Sequence, residues 1–92
     1  MATVHLEVAG RVQGVGFRWF IRQAAIQAGV AGGWVRNRAD GRVEIAATGS
    51  DGAIAEFVAA ARTGPPGARV EHVADLPTAG LDDLPRPFTV LR

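Results

Sequence analysis

A chain of 92 residues, 48% apolar and 21% charged, is sized for a single domain that buries about two thirds of its unfolded surface. Its formal net charge is only +1 and it holds no cysteine, which excludes disulfides, thiolate nucleophiles and thiolate metal sites. No run approaches the roughly 20 apolar residues of a membrane span, and the opening MATVHLEV has no signal-like region, so the expectation is a cytoplasmic protein with no membrane partner.

In chain order, TVHLEVA alternates Val4, Leu6 and Val8 against His5 and Glu7, the pattern of a half-buried strand. From Phe17 the period becomes helical. Phe17, Phe20, Ile21, Ala24, Ala25 and Ala28 share one face, Arg22, Gln23 and Gln27 lie opposite, and Gly29 suits the position past the helix end. GWVRN and RVEIAAT read as two strands joined by the RADG turn. Ser50 caps a second helix with Asp51 in its first turn and a buried stripe of Ile54, Phe57, Val58 and Ala61. TGPPG stops that helix. ARVEHVADL is a fourth strand, PTAGLDDLPRP a loop, and FTVLR a short closing strand.

The order β-α-β-β-α-β predicts an α+β, ferredoxin-like split βαβ fold plus a short terminal strand. The expected architecture is an antiparallel sheet with two helices on one face, as a single domain over 1–92. That fold hosts many chemistries and decides none of them.

Two features point to chemistry. GRVQGVGFR, residues 10–18, concentrates glycine between a strand and a helix N-terminus, where unpaired N–H groups and the helix dipole favour an anion. Arg18 in the first helical turn opposes that dipole by about 0.3–1 kcal/mol unless an anion lies between; the alternative is an arginine pointing into solvent. Residues 11–42 carry six arginines against the single acid Asp40, either an anion-attracting field or an ordinary solvated surface. Asn37, at the end of a strand, either serves the adjoining turn or donates and accepts in a site.

Other phosphate motifs fail: the chain has no lysine for a P-loop, and the third glycine of a dinucleotide fingerprint is Trp19. His5 and His72 are too few for a metal site. Trp19 and Trp34 read as packing residues, with the alternative that one of them shapes a substrate cleft, and Glu7, Glu44, Glu56 and Glu71 as solvated surface. Amides, one arginine and one asparagine offer neither a nucleophile nor a general acid. Such a site suits a leaving group that departs without protonation, such as the carboxylate of an acyl phosphate.

GRVQGVGFR followed by GWVRNRADGRVEI closely resembles the acylphosphatase family, along nearly the whole chain. The resemblance implies a metal-free and cofactor-free enzyme that hydrolyses carboxyl-phosphate anhydrides to carboxylate and inorganic phosphate. Position by position, Arg18 matches the phosphate-binding catalytic arginine and Asn37 the asparagine that orients the attacking water. Gln13, Gly14, Val15, Gly16 and Phe17, with Arg18, match the phosphate-binding loop. Arg38 departs from the small hydroxyl residue of many relatives. The implied partners are a small-molecule acyl phosphate and phosphate as a competing product, for a monomer without nucleic acid. A module of the kind found in larger carbamoyl-transfer proteins is one alternative. An RNA-binding domain is another, but such domains display aromatics on central strands, and here Phe17, Trp19 and Phe20 sit on the helix.

Overall fold

The computed structural model describes all 92 residues. Its elements are β1 (Ala2–Arg11), α1 (Phe17–Ala28), β2 (Gly32–Asn37), β3 (Val43–Gly49), α2 (Asp51–Thr63), β4 (Arg69–Asp75) and β5 (Thr89–Val90). The sheet runs β4-β1-β3-β2-β5, so β3 is inserted between β1 and β2. β3 is antiparallel to both of those neighbours, and β4 is antiparallel to β1. The terminal strand differs from the antiparallel expectation: β5 pairs parallel to β2, Trp34 beside Thr89 and Val35 beside Val90, making the sheet mixed. It is also shorter than FTVLR suggested, with Phe88, Leu91 and Arg92 outside the strand and the Phe88 ring buried against Phe57.

The core lies between the helices and one sheet face. Leu6, Val8, Val35, Val43, Ile45 and Ala47 meet Phe17, Ile21, Ala24 and Ala25 of α1 and Ile54, Phe57 and Ala61 of α2. The two periods read from the sequence, two for strands and 3.6 for helices, place these side chains on facing surfaces. Gly10 belongs to β1 rather than to the loop that follows. It sits at a register shift against β4, where a Cβ would lie 2.0 Å from the Arg69 carbonyl oxygen.

The opposite face of the sheet carries a polar network. β1–β3 register sets Glu7 directly beside Glu44, a repulsive arrangement unless neutralised. The β2–β3 hairpin supplies the neutralising charges. Arg36 contacts Glu44 at 2.8 Å, Arg38 contacts Glu7 at 3.2 Å, and Arg42 contacts Glu7 at 3.6 Å and Asp40 at 3.1 Å. His5 Nε2 meets the other Glu44 oxygen at 2.5 Å, and His5 Nδ1 faces the Pro77 carbonyl at 2.8 Å. Glu44 is therefore not a solvated residue; it is only 5% exposed. β3 is the central strand, and long side chains from both neighbours cover its outer face.

Burial opposes ionisation of Glu44, but the hydrogen bonds and charges of His5 and Arg36 outweigh it and hold the pKa below the ordinary value of 4.5. A carboxyl with a depressed folded-state pKa stabilises the fold above its unfolded value, and that contribution is lost as pH falls through the folded value. Wild type should therefore lose melting temperature on acidification below pH 4.5 more steeply than Glu44→Gln, which should be the less stable protein at neutral pH. Parallel melting-temperature profiles for the two proteins would contradict this assignment.

Candidate active site

The two helices begin differently. α2 is capped by Ser50, whose hydroxyl accepts from the Ala53 N–H at 3.1 Å, and Asp51 lies in its first turn. α1 starts at Gly16, with no side-chain cap and no acid in its first turn. The main-chain N–H groups of residues 14–18 donate to no backbone carbonyl. One helix has a side-chain cap and an acid at its N-terminus, and the other has neither and leaves a row of donors open.

The sequence builds that row through Gly14 and Gly16, at φ +77° and +75°. A Cβ at either position would meet nothing within 4 Å. The glycine requirement is therefore one of backbone conformation, since side-chain-bearing residues adopt this region at a cost of about 1–2 kcal/mol. Successive amides turned this way converge as an anion-binding nest.

Around this loop is a cleft of about 700 Å³ that brings Gly14, Gly16, Phe17, Arg18 and Asn37 together. Asn37 is the last residue of β2 and its side chain is exposed. Arg18 is anchored: its Nη1 donates to the Leu91 carbonyl at 2.8 Å, while the Leu91 N–H donates to the Val35 carbonyl at 2.8 Å. The closing segment thus ties the Arg18 guanidinium to the strand that carries Asn37.

Gln13 and Val15 do not line the cleft. The Gln13 amide donates to the Arg38 and Arg42 carbonyls at 2.8 and 2.9 Å, strapping the loop to the β2–β3 hairpin. Val15 packs against the core. Arg38 turns its guanidinium toward Glu7, so its departure from the family pattern adds no charge to the cleft lining.

Sequence reasoning missed part of the lining. Trp19 is 60% exposed and lines the cleft with Arg22, so of the two readings the cleft position holds and the packing one does not; Arg22 reads in sequence only as part of the polar helix face. Arg22 stands four residues after Arg18 and three after Trp19, spacings that were a readable signal of neighbouring helical positions. Pro87, Phe88, Thr89, Val90 and Arg92 also line the cleft, and no local pattern in the closing segment announced it. The arginine-rich stretch divides, with Arg11 exposed at the end of β1 and outside both the cleft and the ion pairs. Arg36, Arg38 and Arg42 are committed to carboxylates, whereas Arg18 and Arg22 make no ion pair.

Chemically, the cleft offers main-chain donors, guanidiniums and one carboxamide, with no carboxylate, imidazole or thiol side chain in its lining. It is equipped to hold a multiply charged oxyanion and a neighbouring neutral molecule such as water.

Comparison with known proteins identifies the family. The family model described as acylphosphatase matches residues 4–83. An acylphosphatase of Koribacter versatilis is 54% identical over 66 residues, 72% of this chain and 59% of that relative. One from Rhizobium etli is 45% identical over 87 residues, 95% of this chain and 90% of that relative. The crystal structure of acylphosphatase from Bacillus subtilis superposes with a TM-score of 0.88 at 40% identity, covering 100% of both chains. With a family match over residues 4–83 and a relative and a solved structure that cover nearly all of it, the chain belongs to the acylphosphatase family.

Proposed function

We propose that this chain carries out its family's reaction, hydrolysis of the carboxyl-phosphate anhydride of acyl phosphates, by direct attack of a water held by Asn37 on a phosphoryl group held by the loop and Arg18. One observation carries the reading: unpartnered loop amides, an anchored arginine and an exposed asparagine share one cleft. The amides of residues 14–18 and the Arg18 guanidinium take the non-bridging phosphoryl oxygens. Binding there removes both the uncapped state of α1 and the unfavourable position of Arg18 near a positive helix end.

Asn37 can accept from a water through its carbonyl and donate through its amide, which fits it to hold the nucleophile. As the water oxygen bonds to phosphorus, the bond from phosphorus to the acyl oxygen breaks and the carboxylate leaves unprotonated. The water's proton passes to a phosphoryl oxygen of the substrate. No general acid is required, and the lining supplies none. Catalysis then rests on positioning and charge stabilisation, which carry most of phosphoryl transfer. The Leu91 carbonyl fixes the guanidinium before substrate arrives, lowering the reorganisation needed during reaction.

The leaving-group argument predicts hydrolysis of acetyl phosphate faster than that of an alkyl phosphomonoester by orders of magnitude, unchanged by a chelator. Comparable rates on the two substrates would overturn it.

Inorganic phosphate should compete with substrate and raise the melting temperature, as a ligand of the folded state does. Gly14→Ala and Gly16→Ala should weaken that stabilisation, because each strains the positive φ that turns the amides inward. Unaltered phosphate affinity in both variants would place the anion elsewhere.

Arg18 and Asn37 separate by readout. Arg18→Ala should lower phosphate affinity and kcat together, and Arg18→Lys should recover little, since a point charge does not reproduce a planar two-pronged contact. Asn37→Ala should keep phosphate affinity while kcat falls by a factor on the order of 10²–10³. Near-normal kcat in folded Asn37→Ala would remove the water-holding role.

A further inference from the structure

The cleft is larger than a phosphoryl group needs, and it continues along α1 past Arg18. We propose that Arg22 and Trp19 form an acyl-group subsite that selects acyl phosphates bearing a second anionic group on the acyl chain; the inference rests on the reaction proposed above.

Arg22 stands four residues after Arg18 on the same helix, which places the two about 6 Å apart along its axis and on one side. Both line the cleft. Arg22 differs from the hairpin arginines in having no carboxylate partner, although it is half-buried. Its guanidinium carbon lies 5.3 Å from the centroid of the Trp19 ring. That stacking holds a long side chain in place and leaves its donors unspent, because a cation–π contact uses the face of the guanidinium and not its N–H groups.

Trp19 itself is 60% exposed, an unusual position for an indole unless something covers it in use. With the phosphoryl group on the loop, the acyl chain leaving that group along α1 meets first the indole face and then Arg22. Counted from the phosphorus, an extended four-carbon acyl chain reaches its terminal carbon over five bonds, a length on the order of the axial rise between the two arginines. A terminal carboxylate or phosphate would then receive charge-assisted, two-pronged hydrogen bonds from Arg22. No carboxylate side chain in the lining opposes this second anion. A neutral acyl group of the same length would gain the indole contact and nothing from the guanidinium.

The test compares succinyl phosphate with butyryl phosphate, which share a chain length and differ in the terminal carboxylate. Wild type should show the higher kcat/KM on succinyl phosphate, expressed mainly through KM. Arg22→Gln should lower the succinyl-to-butyryl ratio by about tenfold, and Arg22→Lys should restore part of it. Arg62→Gln removes the same charge from the far end of α2 and should leave the ratio at the wild-type value, which separates a subsite from general attraction. A wild-type ratio near one, or a ratio unaffected by Arg22→Gln, would overturn the subsite. Hydrolysis of butyryl phosphate reports on the reaction itself. Binding of the non-hydrolysable phosphonates of the same two acids, followed by tryptophan fluorescence, reports on the subsite without turnover. Equal affinities of wild type for the two phosphonates would overturn it even if turnover failed.

Discussion

Everything at the cleft depends on β3 running antiparallel between β1 and β2. Two strands that are each antiparallel to the same neighbour must run in the same direction, so β1 and β2 finish at one end of the sheet. β5, parallel to β2, finishes there as well. The loop after β1, Asn37 at the end of β2 and the Leu91 carbonyl after β5 are thereby gathered from three distant parts of the chain. α1 must start at that same end, because it begins where the β1 loop stops. Its uncapped N-terminus therefore opens onto the place where the strands deliver their side chains.

Charge is partitioned by the sheet. On the outer face the hairpin arginines neutralise Glu7, Glu44 and Asp40, so two carboxylates in direct cross-strand register become an internally satisfied network. No buried polar side chain is left without a partner. On the cleft side, Arg18 and Arg22 have no such carboxylates, and the open amides add to the positive potential there. The hairpin serves both sides. Its side chains complete the outer network, and its Arg38 and Arg42 carbonyls accept from Gln13 and so hold the loop in relation to Asn37. Stability and site geometry are coupled at this turn, since a shift in the hairpin moves both.

What the sequence determined by itself was local. Hydrophobic period and capping residues located both helices and four strands, because apolar spacing and backbone sterics act over a few residues. The glycine-rich stretch with its following arginine was legible as an open helix N-terminus, and glycines at positive φ are what the loop contains. The tertiary structure alone decided which of the similar residues does what. Six arginines between residues 11 and 42 look alike in sequence, and only sheet register commits three of them to carboxylates. Glu44 reads as a surface residue until β3 becomes the central strand and its neighbours cover it. Trp19 could pack or shape a cleft until α1 docks with that side turned toward the cleft. The closing strand's parallel pairing and the Leu91 contact with Arg18 had no local signature at all. They join residues 55 and 73 positions apart, and such contacts are set by how the whole chain closes on itself rather than by any spacing within a segment.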